Sequence, residues 1–356
     1  MPDLQTHRRR YAILLLLLCP IAAFVLMPHP QDLSVTKRAK KLVAISDWFP
    51  SRLAGSIAYQ WLSPQKIVVM HSHGRIGIVD TVTGKEEPPE NINGALRRYP
   101  ALESLATTVP SWLLSPDGKW MLTMAFTGGQ PEWVAIAMDG SRIVEAPTPN
   151  MREPVAFWDR DSQSFYQVVV DRGHVYLRRY PLSGALPPAS NAIGSDPTDS
   201  RLNVPPYRFD NPFVPMGEFS PHHILMANFG GRGQPRCLIF NLKTPMIQQR
   251  ADITMPEGAF VGEMELAPDG RHIGWILDFA EGMTDPVLHR LPFTPVGPGH
   301  GNNEVWVSNL DGSGMHPVAT PGVEKDATGP TNLRWTPDSQ NVSFVYSGYL
   351  YTAPAR

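Results

Sequence analysis

The sequence predicts an all-β fold: a six-bladed β-propeller of four-stranded antiparallel blades, closed by an N-terminal strand and preceded by one transmembrane helix. Three observations lead there. A short turn motif recurs six times, Asp-Gly pairs follow short apolar runs, and one long apolar segment stands apart near the N-terminus.

The motif is clearest as Leu114-Ser115-Pro116-Asp117-Gly118-Lys119, as Leu266-Ala267-Pro268-Asp269-Gly270-Arg271, and as Trp335-Thr336-Pro337-Asp338-Ser339-Gln340. Weaker copies are Leu62-Ser63-Pro64-Gln65-Lys66 and Phe219-Ser220-Pro221-His222-His223, while Trp158-Asp159-Arg160-Asp161-Ser162-Gln163 keeps the frame without the proline. Successive copies lie 44 to 69 residues apart. A fixed self-similarity on that scale marks a repeat architecture.

Each copy precedes a β-like run, such as Trp120 to Phe126 or Val342 to Tyr346. After a variable gap a second run ends in a tight turn: Trp133 to Met138 before Asp139-Gly140, and Val305 to Leu310 before Asp311-Gly312. Proline presets φ at the first corner of a turn, and Asp-Gly supplies the next. The unit therefore reads strand, turn, strand, variable loop, strand, Asp-Gly turn, strand, which is the blade of a propeller. On these residues the chain resembles the TolB-like propellers with their WD-like repeats, over roughly residues 42 to 356. The resemblance implies an envelope propeller that binds other proteins. TolB itself carries an additional N-terminal α/β domain, where this chain has only the stalk 29–40.

The last unit ends after its third strand, Tyr349 to Thr352, and Lys41 to Ser46 precedes the first repeat with nothing of its own to pair with. Joining the two would close the ring and remove both exposed edges.

His7-Arg8-Arg9-Arg10 precedes an apolar stretch from Tyr11 to Met27. A helix of this length spans roughly 25 Å, enough to cross a thin bilayer. Leu16-Leu17-Leu18 before Cys19 lacks the small residues of a lipoprotein signal, and no small-x-small cleavage site precedes Met27. The expectation is an uncleaved signal anchor over 11–28, with the basic segment 1–10 in the cytoplasm. The stalk 29–40 and the propeller 41–356 then lie on the extracytoplasmic side of a single-pass membrane protein.

Composition narrows the function classes. A net charge of -2 with 18% charged residues gives no basic field for collecting phosphates, so no nucleic acid is expected. The 37 prolines and 29 glycines are scattered, as in a turn-rich fold. Cys19 and Cys237 are placed too differently to pair, so the domain must hold without disulfides.

Long stretches are expected in two places only: between blades, as Lys85–Val109, Leu186–Met216 and Pro317–Thr331, and between the second and third strands of the fifth blade, Phe279–Asn303. In a four-stranded meander both kinds emerge on one face, which is then the expected working surface. Tolerated Pro-rich insertions are the bland alternative.

Chemistry-bearing residues are few. His71 and His73, two apart on a strand, and His289 and His300 in the fifth-blade insertion could contribute to a metal site, but no HExxH or paired-cysteine spacing accompanies them. His222-His223 reads as a turn, and Gly230-Gly231-Arg232-Gly233 lies between strands, where a phosphate cradle is not formed. Ser34-Val35-Thr36-Lys37 matches Ser-x-x-Lys, but it sits in the stalk beside the membrane, where the match reads as coincidence, and no Gly-x-Ser-x-Gly elbow occurs. Glu86, Glu87 and Glu90 read as a solvated loop.

No catalytic, cofactor-binding or metal residue is assigned, and no cofactor is expected. The expected function is non-enzymatic binding of a protein or other ligand at the cell envelope through the long-loop face. The alternative is a propeller enzyme, a metal-assisted lyase or hydrolase on glycans, with a site lined by His71, His73, His289 and His300.

Overall fold

The computed structural model describes residues 39–44, 59–71, 75–97, 112–127, 130–147, 156–171, 174–183, 199–202, 214–228, 235–243, 246–279, 302–320 and 329–356. The chain divides into units 1–34 and 35–356, the first wholly outside the described residues. The second is a six-bladed propeller of six four-stranded antiparallel sheets.

Strand β1 (Lys40–Ala44) comes first. Blade 1 holds β2 (Tyr59–Ser63), β3 (Lys66–Met70), β4 (Ile76–Asp80) and the two-residue β5 (Glu86–Glu87), followed by helix α1 (Glu90–Arg97). Blade 2 holds β6 (Trp112–Leu114), β7 (Trp120–Thr127), β8 (Gln130–Ala137) and β9 (Ile143–Pro147). Blade 3 holds β10 (Ala156–Trp158), β11 (Ser164–Asp171), β12 (His174–Pro181) and β13 (Asp199–Leu202). Blade 4 holds β14 (Val214–Ser220), β15 (His223–Asn228), β16 (Arg236–Asn241) and β17 (Met246–Asp252). Blade 5 holds β18 (Ala259–Leu266), β19 (His272–Phe279), β20 (Asn302–Asn309) and β21 (His316–Ala319). Blade 6 holds β22 (Thr331–Trp335), β23 (Asn341–Tyr346) and β24 (Tyr349–Pro354), with β1 as its fourth strand.

That fourth strand is the pairing expected from the sequence. Lys40 faces Thr352, Lys41 faces Tyr351, and Ala44 faces Tyr349 across a bulge. Val43 is buried in the seam between blades 6 and 1, and Lys41 Nζ sits 3.1 Å from the centroid of the Tyr349 ring. Residues 45 and 46 of the expected strand lie outside the described residues.

The core lies between blades. Each of the six seams holds one apolar cluster. Successive residues of a strand point to opposite faces, so one strand feeds two seams. In β3, Ile67 and Val69 enter the seam with blade 6, while Val68 and Met70 enter the seam with blade 2. Strands covered on both faces read as continuous apolar runs rather than alternating ones.

The repeated motif closes one end of the disc. Asp117, Asp161, Asp269 and Asp338 each accept, through Oδ1, the N–H two residues on. The next position is left-handed, with φ of 69° at both Gly118 and Gly270. There the glycine lets the turn press on the preceding blade: a Cβ on Gly270 would lie 2.2 Å from the Phe219 carbonyl oxygen. Where serine stands instead, it adopts the same strained φ, 60° at Ser162 and 57° at Ser339. Its hydroxyl then accepts the N–H of the preceding blade's turn, Asp117 N at 3.1 Å and Asp269 N at 2.9 Å. Tryptophans tie the inner strands in the same direction. Trp158 Nε1 donates to Leu113 O and Trp335 Nε1 to Glu265 O, at 3.0 and 3.1 Å.

Three expected loops are corrected. Lys85–Val109 is not simply a linker, because it contains β5 and α1. The β5 strand ends after two residues, and α1 covers the edge it leaves. Asn93 supplies the missing strand partner, accepting from Ile76 N at 3.0 Å and donating to Ile76 O at 2.9 Å. Leu186–Met216 is likewise not one linker between blades, because β13 lies inside it. Residues 182–198 join the third and fourth strands of blade 3, and only 203–213 pass to blade 4. Pro317–Thr331 begins within β21, so the link proper is 320–330. Phe279–Asn303 does join the second and third strands of blade 5. No helix among the described residues is long and apolar enough to cross a membrane, and 11–28 lies outside them.

Candidate functional site

The two ends of the disc differ in kind. At the turn end, first strands return into second strands through tight turns, and in blades 1 to 5 third strands pass into fourth, by short turns except for 182–198 in blade 3. At the connection end emerge the second-to-third loops and the blade-to-blade links, including 88–111, 203–213, 280–301 and 320–330.

The direction of β1 assigns these ends to the chain's entry. Thr352 lies toward the turn end of β24, and Tyr349 follows the Ser347–Gly348 turn at the connection end. Lys40 pairs with Thr352, so the chain enters the propeller from the turn end and leaves β1 at the connection end.

Of the histidines singled out, only His71 lies among the described residues; His73, His289 and His300 do not. His71 is 5% exposed, and its Nε2 meets Glu86 Oε1 at 2.8 Å. Glu86 is therefore not a solvated loop residue. Its side chain runs over Gly77, where a Cβ would lie 2.2 Å from Oε1. The two residues stand 15 apart, His71 just past the end of β3 and Glu86 in β5, and nothing in their local sequence announces the pair. Glu87 and Glu90 do remain at the surface, paired with Lys85 at 3.0 Å and Arg97 at 3.6 Å. Glu86 also borders a groove of about 360 Å³ at the closing seam, walled by Leu42, Val43, Val79 and Thr83, with Val82 72% exposed at its lip.

His222 holds a φ of 64° in the two-residue turn between Ser220 and His223, so the turn reading stands. Gly230 to Gly233 and Ser34 to Lys37 lie outside the described residues. No group of three or more His, Cys, Asp or Glu among the described residues is arranged to hold a metal ion. Cys237 is buried and free, and burial pushes its thiol up to about 12, so it is a packing residue.

Sequence reading missed a pair of carboxyls clasping blades 3 and 4 at the turn end. Asp159 is buried, accepts from Ser164 Oγ at 2.7 Å and from Arg179 Nη2 at 2.8 Å, and shares a hydrogen bond with Glu218. Glu218 Oε2 accepts from Arg160 N of the neighbouring blade at 2.8 Å, and Oε1 accepts from His222 N. Burial, then the Asp159 hydrogen bond, pushes the Glu218 carboxyl up to about 7. Burial also acts to raise Asp159, but the hydrogen bonds from Glu218, Ser164 and Arg179 outweigh it and hold it below the usual range. One proton is thus shared, held mainly on Glu218.

Blade 5 carries the other unusual polar group. Its first three strands contain Glu263, Glu265, Asp278 and Glu304 and no lysine or arginine. Glu263 accepts the N–H groups of Asn332 and Leu333, each at 2.9 Å. Glu265 pairs with Arg334 at 2.9 Å, and Glu304 accepts from Trp306 Nε1 at 2.7 Å. Asp278, near the connection end, has no ion pair or hydrogen bond among the described residues, and burial alone raises its pKa.

No protein-family model matches the chain, and no curated protein is similar to it. Among solved structures it is similar to TolB from Acinetobacter baumannii, at 12% identity over 84% of this chain and 63% of that one, with a TM-score of 0.44. It is also similar to the gluconolactonase XC5397 from Xanthomonas campestris, at 10% identity over 89% of each chain and a TM-score of 0.48. A third is the β-propeller domain of Cps50 (Swd1) from Myceliophteria thermophila, at 11% identity over 86% of this chain and 98% of that one, with a TM-score of 0.43. The chain spans less than two thirds of the length of the TolB structure. Likeness at this level concerns the fold alone.

Proposed function

We propose that this chain is a TolB-like binding propeller, held at the cell envelope by an anchor over residues 11–28, that engages a protein partner through its connection end. The observation that carries the reading is the direction of β1. Lys40 enters at the turn end, so the entry of the chain and the connection loops lie at opposite ends of the propeller.

The scaffold suits binding. Six buried seams and the β1 closure make a rigid body, and variable connections on a rigid body are where recognition concentrates. The resemblance of the Pro-Asp-Gly repeats to TolB-like propellers supports a protein as the ligand.

Carboxyl-directed cross-linking of the full-length protein in cells, followed by capture and mass spectrometry, tests this; Glu90, Glu103, Glu281 and Asp285 supply reactive groups at the connection end. The expected result is a reproducible partner joined to connection-end segments such as 88–111 or 280–301. Capture of nothing, or links confined to the turn end, would overturn the reading.

A further inference from the structure

The chain holds a single Asn-Gly pair, Asn93-Gly94, and it lies in the middle of α1. Asparagine is chemically labile, and a following glycine leaves its carboxamide open to attack by the next backbone nitrogen. Packing does not ask for this glycine. Among the described residues a Cβ on Gly94 would meet no atom within 4 Å, and in a helix alanine is the better residue.

Asn93 has a fixed place in the fold. Along the outer edge of β4, Asp80 N donates to Lys85 O, and Ile78 pairs with Glu87 of β5. Ile76 comes next on that edge, and the Asn93 carboxamide bonds both its N–H and its C=O. The side chain thus stands where a longer β5 would have paired. Ile92 and Ala95 beside it are buried in the seam between blades 1 and 2.

A helix of eight residues with a central glycine does not hold in water by itself. Docking is what keeps α1 helical, so undocking and unwinding are one event. While α1 is docked, the Gly94 N–H points along the helix and the Asn93 carboxamide is committed to Ile76. Once α1 is released, Asn93-Gly94 is an unrestrained dipeptide.

We propose that Asn93 is a deamidation site gated by the release of α1, and that its conversion keeps α1 from docking again. The Gly94 nitrogen bonds to Asn93 Cγ, the Cγ–Nδ2 bond breaks, and ammonia leaves with the Gly94 amide proton. Water then opens the cyclic imide to aspartate or isoaspartate, and no oxidant or reductant takes part. Aspartate still accepts from Ile76 N, but its second oxygen meets the Ile76 carbonyl where a donor stood. Isoaspartate adds a backbone methylene and cannot continue the helix. Either product leaves the edge of β4 uncovered, whatever the connection end binds.

The test incubates full-length protein at mildly alkaline pH and follows the tryptic peptide Glu86–Arg97 by mass spectrometry, whose fragments separate Asn93 from Asn91. Each of the two bonds to Ile76 is worth roughly a factor of five, so conversion should be about 30-fold slower in folded than in urea-unfolded protein. Ile92→Ala removes a buried anchor of α1 and should raise the folded-state rate about tenfold. Sub-denaturing urea releases α1 in the parent and serves in place of that variant should it fail to fold. Gly94→Ala keeps α1 and should suppress conversion even in urea. Hydrogen exchange reads the second half of the proposal: the Ile76 N–H, protected before conversion, should exchange freely after it. Equal rates in folded and unfolded parent, no acceleration by Ile92→Ala or by sub-denaturing urea, or undiminished conversion in Gly94→Ala would overturn the gated site. An Ile76 N–H as protected after conversion as before would overturn the block on redocking.

Discussion

Replacing Glu218 by glutamine should flatten the pH dependence of stability while weakening the seam it spans. The Glu218 carboxyl, raised from 4.5 to about 7 by burial and by Asp159, is protonated more readily in the folded chain than in the unfolded one. Its contribution is complete below the unfolded value and disappears as pH rises through the folded value. At 1.36 kcal/mol per pKa unit the ceiling is about 3 kcal/mol. Glu218 is only part buried and shares its proton with Asp159, so roughly 1–2 kcal/mol is the figure to expect between pH 4.5 and 7. Asp159 acts in the opposite sense, stabilising above its unfolded value and losing that stability as the pH falls. Glutamine keeps a donor for Asp159 but one acceptor instead of two for Arg160 N and His222 N. The variant should lose about 1 kcal/mol near pH 5. Urea unfolding of both proteins at pH 5 and pH 8 gives the four free energies needed. Glu265 and Asp278 are also raised by burial, and the difference between the two proteins removes their shared contribution. A pH 5-to-8 decline as steep in Glu218→Gln as in the parent would refute the shared proton.

Three further outcomes follow from the ring. Gly270→Ala forces a Cβ against the Phe219 carbonyl at a left-handed φ, and should cost about 2–4 kcal/mol in urea unfolding. Trp158→Phe deletes one donor to Leu113 O while keeping most of the buried ring, and should cost about 1–2 kcal/mol by the same measurement. A chain starting at Val35 should leave the membrane fraction with its melting temperature unchanged. One starting at Ile45, which lacks β1, should melt at least several degrees lower and aggregate through the open edge of β24.

The repeat was legible because its turns are built from local chemistry. Asp117, Asp269 and Asp338 bond backbone two residues on, and such bonds are written in adjacent letters. The closing strand was legible for a different reason, since a blade one strand short and a strand without a blade leave only one pairing. Local signals failed where a segment's role depends on a distant neighbour. The β5 strand is two residues long because Asn93 and α1 take over its edge, and no pattern in Glu86-Glu87 says so. The β13 strand, Asp199–Leu202, carries little apolar character, so 186–216 read as one connection. The polar pairs were invisible for the same reason: His71 finds Glu86, and Asp159 finds Glu218, across separations that the folded chain alone brings together.

The most direct test of the binding face places a photo-reactive residue at one position at a time in the full-length protein in cells. Ser347 and Glu257 lie at the connection end; Ser141, Lys243 and Ser313 lie in turns at the other. Adducts with one partner from Ser347 and Glu257, and none from the three turn positions, are the predicted result. Adducts from the turn positions alone, or equally from both ends, would contradict it.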